Sequence, residues 1–200
     1  MYKYGYLFPL GDDNFVNMSI NFNFTFFRNT FSSLILSTNG FAYFSGTKCC
    51  YVTQPDMSNL ISGFNYDLNT LNGGTIYYQN LFATDSSNGF ALVLADLNRL
   101  NSTFVPTNVF RITYENVLKY ASDTDSTSFQ IVLASDAAKS YVLLKYYLCI
   151  ANELKTPGLY YMNTYGQQLS SLIAVNPCLS TNVNLNGTWV FDVTSVYGIF

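Results

Sequence analysis

The sequence predicts an all-β fold with one inserted helix, arranged as a mainly antiparallel β-sandwich in a single domain. Aromatic residues make up 18% of the chain and charged residues only 10%, which is typical of a globular, β-rich protein. Apolar and polar residues alternate with a period of two in several segments, and Asn-Gly or Gly-Gly pairs separate some of them. We expect residues 1–200 to form one domain with its own core, because a chain of this length buries roughly 70% of its unfolded surface.

The clearest strand covers Met18–Phe26, where every second residue is apolar and the residues between them are polar. This pattern predicts a strand with one buried face. The next predicted element is a hairpin around Thr38-Asn39-Gly40, since Leu34 and Leu36 precede this turn and Phe41 follows it.

A second Gly-containing turn, Asn72-Gly73-Gly74, separates Ile61–Asp67 from Thr75–Gln79. We predict a second hairpin there. Phe90–Leu100 then carries apolar residues at spacings of three and four, which predicts a helix capped by Ser86, Ser87 or Asn88.

Three further strands are predicted after the helix, at Val109–Glu115, Ser128–Ala134 and Ser140–Leu148. The last is apolar on both faces, as expected of a strand inside a sheet. Trp189, Phe191 and Val193 form a closing alternation. The predicted sandwich core includes Phe22, Phe24, Leu34, Leu36, Phe129, Ile131, Leu143 and Trp189.

Charge and hydropathy exclude two classes of partner. The net charge is −3 and the nine Lys and Arg residues are scattered, so no basic surface for nucleic acid is expected. The longest apolar candidate, Tyr141–Ile150, contains Lys145 and has the length of a strand, so no direct membrane insertion by residues 1–200 is expected. Residues Met1–Tyr6 lack the apolar stretch of a secretory signal, and we therefore expect the chain to be a piece of a longer precursor.

Four cysteines, Cys49, Cys50, Cys149 and Cys178, are compatible with two disulfides in an oxidising compartment. Because a bond between adjacent cysteines closes a strained ring, we predict that Cys49 and Cys50 are each bonded to Cys149 or Cys178, in either order. Four buried thiols are the alternative. A zinc site is disfavoured, since Cys49 and Cys50 lack the gap that lets two thiolates point at one ion.

The chain contains no histidine, which excludes Ser-His-Asp and Cys-His catalysis and His-containing zinc sites within it. Carboxylate-pair chemistry is still available to seven aspartates, although sequence does not show which of them converge. For Asp123 and Asp125, which lie in a polar segment, a turn is the preferred interpretation. The seven are Asp12, Asp13, Asp67, Asp96, Asp123, Asp125 and Asp136.

Asn65, Asp67 and Asn69 alternate oxygen ligands like the start of a calcium loop. Thr70 stands where an EF-hand loop needs Gly, and Ile76 where it needs Glu, so a capped β-turn is preferred. We expect no catalytic residue, no metal and no cofactor.

Four Asn-X-Ser/Thr motifs are glycosylation candidates: Asn23, Asn101, Asn17 and Asn186. Asn23 faces away from the apolar side of its strand and Asn101 follows the predicted helix, which favours both. Tyr160 and Tyr161 follow Pro157-Gly158 in a predicted loop and are candidate partner-binding residues, because tyrosine combines a flat apolar face with a polar rim. Cross-strand packing is the alternative interpretation.

Five stretches, in order along the chain, resemble the nidogen-type extracellular domain. They are Tyr6–Asp13, Ile20–Phe41 with its Asn-Gly turn, Leu60–Tyr78, Phe110–Val117 with Phe129–Asp136, and Gly187–Phe191. Asn65 occupies the position of the family's tryptophan, and Asn69 occupies the position of its second acidic residue. The family's glycine-rich segment after the central strand is replaced by Pro157–Tyr161.

The resemblance implies an extracellular, non-catalytic module of a multidomain protein, secreted or in the ectodomain of a membrane protein. Its expected function is cell–matrix or matrix adhesion through extracellular matrix or cell-surface proteins. Two alternatives are a lectin-like sandwich that binds glycans through exposed aromatics and, from a different class, a carboxylate-based hydrolase.

Overall fold

Thirteen strands and one helix are found in the computed structural model, which describes residues 5–44, 59–64, 66–84, 88–99, 103–136, 138–150, 157–162, 168–173 and 175–195. The strands are β1 (Tyr6–Leu7), β2 (Phe15–Phe26), β3 (Asn29–Ser37), β4 (Phe41–Tyr43), β5 (Leu60–Ser62), β6 (Leu68–Asn69), β7 (Thr75–Phe82), β8 (Asn108–Lys119), β9 (Ser126–Ser135), β10 (Ser140–Leu148), β11 (Gly158–Met162), β12 (Gln168–Leu172) and β13 (Thr188–Asp192). The helix, α1, is Asn88–Asn98.

The strands form two antiparallel sheets. The larger sheet has the order β1-β7-β8-β9-β10-β13, with β6 also paired to β8, and the smaller sheet has the order β12-β11-β5-β4-β3-β2. One core cluster joins the two sheets, with members from β2 and β3 on one side and from β8, β9 and β10 on the other. The predicted antiparallel sandwich with one inserted helix is confirmed.

The alternation in β2 is confirmed by burial. Met18, Ile20, Phe24 and Phe26 are buried and Phe22 is half-buried, whereas the polar residues between them are exposed or half-buried. The pairing with β3 is interrupted between Ser19 and Phe24. The register of the two strands therefore shifts within the apolar pattern of β2.

The hairpin at Asn39-Gly40 is also confirmed, since Leu36 pairs with Ala42 across the turn. Gly40 has φ +82°, and a Cβ atom at this position would lie 2.5 Å from the carbonyl oxygen of Phe64. The turn therefore needs glycine both for its backbone conformation and for the close approach of another segment.

The second predicted hairpin is wrong. Ile61 lies in β5 of the smaller sheet, whereas Thr75–Gln79 lies in β7 of the larger sheet. Asn72-Gly73-Gly74 instead connects β6 to β7, and both of these strands pair with β8. These residues therefore interrupt the chain between two strands that lie on the same side of β8, and they do not reverse it between two paired strands.

Helix α1 begins two residues earlier than predicted and lies on the outer face of the larger sheet. Its Phe90, Val93 and Leu97 pack against Val132 and Leu143 in a second buried cluster. No helix in the described part of the chain is long and apolar enough to cross a membrane.

Most of the predicted core is buried in the expected place. Phe24, Leu34, Leu36, Phe129 and Ile131 are buried between the two sheets. Two tyrosines of the larger sheet also reach across this core: Tyr114 Oη donates to the Ser37 carbonyl (2.5 Å) and Tyr146 Oη to the Gly63 carbonyl (2.7 Å).

Three predicted core residues differ from the expectation. Leu143 is buried under α1, on the other face of its sheet. Phe22 and Trp189 are only partly buried, although both pack against the core. Phe22 lies in the part of β2 where the pairing with β3 is interrupted, and Trp189 lies on β13, the last strand of its sheet.

Candidate functional site

Two places in the described structure gather polar side chains. The first, the acidic corner, consists of Asp12, Asp13, Asp67 and Asn39. It is formed where the segment after β1 meets the β3–β4 turn and the start of β6, so three stretches that carry the family resemblance converge there. An isolated bridge between Asp12 and Asn69 helps to hold these segments together.

Asn39 connects the members of the acidic corner. Its Nδ2 donates to Asp13 Oδ1 (2.6 Å), and its Oδ1 accepts from the backbone N–H of Leu68 (2.8 Å). The side chain is fully buried, so these bonds replace those it would make with water. Asn39 therefore has a structural function in joining the three segments.

The electrostatics of the corner are unfavourable for three ionised carboxylates. Oxygens of Asp12, Asp13 and Asp67 all lie within 4.8 Å of one another. Burial raises the pKa of Asp67, and the charges of Asp12 and Asp13 raise it further. Burial and then the charge of Asp13 likewise raise the pKa of Asp12.

Oxygen ligands of this type suit a hard cation such as calcium or can share a proton. Asn69, however, uses its Oδ1 to accept from the backbone N–H of Leu71 (2.8 Å). That is the capped turn preferred from the sequence. Asn65, the first member of the calcium-like alternation, lies outside the described residues.

The other candidate carboxylates are separate from this corner. Asp123 and Asp125 lie in the turn between β8 and β9, where Ser122 Oγ accepts from the backbone N–H of Asp125 (3.0 Å). Asp136 Oδ1 accepts from the backbone N–H groups of Ala138 (2.7 Å) and Lys139 (2.6 Å). The Asp136 carboxylate therefore stabilises a turn, whereas Asp123 and Asp125 lie in a turn that the Ser122 hydroxyl stabilises.

The second place, the helix cavity, lies between α1 and the outer face of the larger sheet and has a volume of about 310 Å³. The helix contributes Gly89, Leu92, Val93 and Asp96, whose spacing places them on one helical face. The sheet contributes the remaining lining residues from β8, β9 and β10: Arg111, Gln130, Val132, Lys145 and Tyr147.

The polar groups of the helix cavity are held by one another. Tyr147 Oη donates to Gln130 Oε1 (3.1 Å), and Gln130 Nε2 donates to Thr113 Oγ1 (2.8 Å). Lys145 forms an ion pair with Asp96. Burial raises the pKa of the Tyr147 phenol, which therefore remains a hydrogen-bond donor at neutral pH.

Neither place combines a cleft with two carboxylates among the described residues. The helix cavity is lined by one aspartate, Asp96, which is paired with Lys145. The acidic corner has three, but Asp13 is exposed and the other two are partly exposed. The geometry needed for a carboxylate-pair hydrolase is a pair of carboxyl groups around an enclosed bond, and it is not formed at either place.

Tyr160 and Tyr161 do not lie in a loop, so the predicted loop position is wrong. Both lie on β11, which pairs with β5 and β12, and both are buried. The Tyr161 ring lies 5.0 Å from that of Phe27. Cross-strand and core packing, the alternative interpretation, accounts for both residues.

The predicted pairing of the cysteines is also wrong. Cys149 is bonded to Cys178, at a sequence separation of 29. The two meet because β10 ends beside the segment that leads into β13, as the hydrogen bond from Tyr146 N to the Gly187 carbonyl (2.7 Å) shows. Cys49 and Cys50 lie outside the described residues.

Three of the glycosylation candidates, Asn17, Asn23 and Asn186, are exposed. Asn101 lies outside the described residues. Exposure is necessary for a glycan, and the use of these sites stays a prediction.

The residues of the helix cavity were not predicted as a group from the sequence. A signal was present: Arg111, Gln130 and Lys145 are long polar residues within otherwise apolar strands, at positions that face out of the sandwich. Their proximity depends on strand register, which pairs Gln130 with both Thr113 and Lys145.

Two antiparallel sheets with a helix on one outer face define an all-β sandwich module. A family model for the nidogen-like domain matches residues 32–195, so the chain belongs to the nidogen-like domain family. This is a family of extracellular, non-enzymatic modules. The comparison with curated proteins gave no significant match, and neither did the comparison with solved structures.

Proposed function

We propose that this chain is a non-catalytic adhesion module of a secreted or cell-surface protein, and that it binds extracellular matrix or cell-surface proteins. The observation that carries the proposal is the nidogen-like domain match over residues 32–195. The absence of histidine from the sequence and the use of the Asp136 carboxylate to stabilise a turn agree with a role that needs no catalytic group.

Two further observations support an extracellular location. The Cys149–Cys178 disulfide is a bond that persists in oxidising compartments. Three Asn-X-Ser/Thr motifs, at Asn17, Asn23 and Asn186, present exposed asparagines. Both features fit a protein that passes through the secretory pathway.

A contact surface for a protein partner is available beside the edge strand β1. Tyr6, Leu7 and Leu10 are 71%, 64% and 58% exposed, and tyrosine with apolar neighbours is typical of protein interfaces. We therefore place the first candidate contact residues of the adhesion function at this edge.

Binding of the purified domain to decellularised matrix tests the proposal. We expect saturable binding that is lost when the matrix is treated with protease and persists when its glycans are removed enzymatically. Replacing Tyr6, Leu7 and Leu10 together by Ser should weaken it at least tenfold, whereas Leu71→Ser, at another exposed apolar residue, should leave it unchanged.

Two results would count against the proposal. Absence of saturable binding to any matrix preparation would remove its basis. Binding that disappears on deglycosylation and survives proteolysis would instead favour the lectin-like alternative.

A further inference from the structure

The outer face of the larger sheet has two chemically different halves. The half under α1 is apolar and includes Val109, Ala134 and Leu143. Further along the same strands the outward-facing residues become polar, with Thr113 opposite Gln130 and Gln130 opposite Lys145. The helix cavity lies at the boundary, where α1 presents Asp96 to the polar half.

The polar lining is positioned before any ligand arrives. Arg111 and Gln130 are 4% and 5% exposed, and Asp96 is 6% exposed. Arg111 Nη2 donates to Gln79 Oε1 (3.0 Å), which adds to the Tyr147–Gln130–Thr113 chain and the Lys145–Asp96 pair. Side chains held in this way lose little conformational entropy on binding a ligand.

These groups have hydrogen-bonding capacity beyond the bonds they make to each other. A carboxylate accepts about four hydrogen bonds, an ammonium donates three, and an amide has two N–H donors and a carbonyl acceptor. Asp96, Lys145 and Gln130 use part of this capacity in the pairs described above. Both donors and acceptors therefore line the open space.

This mixture of groups discriminates between classes of ligand. A simple anion would be repelled by the Asp96 carboxylate, and a simple cation would be repelled by Arg111 and Lys145. An apolar ligand would remove these charges from water without compensation, which is costly. A ring with several hydroxyl groups both donates and accepts hydrogen bonds, so it can bond to the acidic, basic and amide groups of the cavity.

The mouth of the cavity supplies an aromatic surface. Tyr147 is 45% exposed and its hydroxyl donates to Gln130, so the ring is held in place at a solvent-exposed residue. A tyrosine ring offers a flat apolar contact for the C–H face of a sugar. A volume of about 310 Å³ is at the small end of ligand sites, suited to one or two sugar rings.

We propose that the helix cavity is a glycan-binding site that takes a terminal neutral sugar, with Gln130, Asp96 and Lys145 bonding its hydroxyl groups and Tyr147 contacting its ring. The site is distinct from the β1 edge. The proposal does not depend on the adhesion function, because binding of the domain to the proteins of a deglycosylated matrix can be measured separately.

Titration of the purified domain with free sugars, followed by NMR of its side-chain amides and backbone, tests this site. The probes are glucose, galactose, mannose, N-acetylglucosamine, N-acetylgalactosamine and fucose, with sodium acetate as a simple anion. We expect at least one sugar to shift the resonances of Gln130 and of α1 in a saturable way, and acetate not to do so.

Two exposed tyrosines provide a matched pair of variants. Tyr147→Ala should weaken sugar binding roughly tenfold, since the ring contact is lost. Tyr120→Ala removes a ring that is 50% exposed in the turn after β8, away from the cavity, and should leave the affinity unchanged. Leu92→Trp, which places a large ring at the cavity lining, should abolish binding without lowering the melting temperature.

The proposal is overturned if none of the sugars binds, or if sugar binding is equally strong in Tyr147→Ala and Tyr120→Ala. Saturable binding of acetate at these residues, with no response to sugars, would also overturn it. If Leu92→Trp lowers the melting temperature, the comparison of Tyr147→Ala with Tyr120→Ala still tests the site, because replacing a half-exposed tyrosine should not unfold the domain.

Discussion

The acidic corner and the helix cavity both contain buried polar side chains, but they use them differently. In the corner, Asn39 donates to Asp13 and accepts from the backbone of Leu68. In the cavity, Gln130 bonds Tyr147 and Thr113 around a space of about 310 Å³. The corner uses side chains to join chain segments, whereas the cavity arranges them around a space that a ligand can enter.

This contrast separates buried polar residues that hold the fold together from those that are arranged for binding. A side chain bonded to the backbone of distant segments replaces a missing secondary-structure bond, so its loss should destabilise the fold. Side chains bonded to one another beside a cavity contribute less to stability. Four predictions test this contrast, ordered by the expected change in the free energy of unfolding.

The largest effect is expected for the disulfide, which fixes the end of the strand that carries Lys145 and Tyr147. Replacing Cys149 and Cys178 together by Ser should lower the free energy of unfolding by roughly 3–4 kcal/mol, because a bond across a separation of 29 residues restricts the unfolded chain. Urea denaturation of both proteins measures the change. A loss below about 1 kcal/mol would show that this link is not what stabilises the cavity side.

The second prediction concerns Asn39→Ala in the acidic corner, which should cost roughly 2–3 kcal/mol. The change leaves the Asp13 carboxylate and the Leu68 N–H without their shared partner. Denaturation midpoints compared with those of Asn72→Ala, an exposed asparagine in a turn, provide the measurement. Equal midpoints for the two variants would contradict a structural function for Asn39.

The third prediction concerns Asp96→Asn in the helix cavity, where a cost of about 1–2 kcal/mol is expected because Lys145 keeps its charge and loses its partner. The double variant Asp96→Asn with Lys145→Met should recover part of this loss, since no unpaired charge remains. Asp123→Asn, at an exposed carboxylate in a turn, serves as the control and should be neutral. A double variant that is less stable than Asp96→Asn would show that the unpaired Lys145 charge does not cause the loss of stability in Asp96→Asn.

Local patterns in the sequence were sufficient for much of the fold. The alternation in Met18–Phe26 predicted β2, Asn39-Gly40 predicted the β3–β4 hairpin, and the apolar spacing in Phe90–Leu100 predicted α1. Each of these signals depends on residues close in sequence, and the backbone conformation they favour is the same wherever the element packs.

The errors arose where long-range pairing decides the outcome. Asn72-Gly73-Gly74 favours a turn, but the neighbouring sequence does not indicate that β6 and β7 both pair with β8. Tyr160 and Tyr161 follow Pro157-Gly158, and only the pairing of β11 with β5 makes them core residues. Cys178 reaches Cys149 for the same reason, since the chain entering β13 runs beside the end of β10.

The candidate site was the least predictable part. Asp67 was identified with Asn65 and Asn69 because they are neighbours in sequence, whereas its spatial neighbours are Asp12 and Asp13. Arg111, Gln130 and Lys145 come from three strands, and only their register brings them to one cavity. Polar residues in apolar strands mark positions of interest, but their grouping requires the sheet order.

The smallest effect is expected for Asp67→Asn, and it has the opposite sign from the other three. The pKa of Asp67 is raised by burial and by Asp12 and Asp13, so the folded state holds this proton more tightly than the unfolded state does. The stabilisation by this bound proton is therefore fully present below the ordinary pKa of about 4 and is lost as the pH rises through the raised pKa.

Because all three carboxyl groups are at least partly exposed and solvent screens their charges, Asp67→Asn should be more stable than the wild type by only a few tenths of a kcal/mol at pH 7. Urea denaturation between pH 3 and pH 7 should show this gain shrinking towards zero below about pH 4. Asp125→Asn, at an exposed turn residue, is the matched control. A destabilised Asp67→Asn at pH 7, or a wild-type melting temperature that rises on adding calcium and does not rise in the variant, would show that the carboxylates of the acidic corner do more than repel one another.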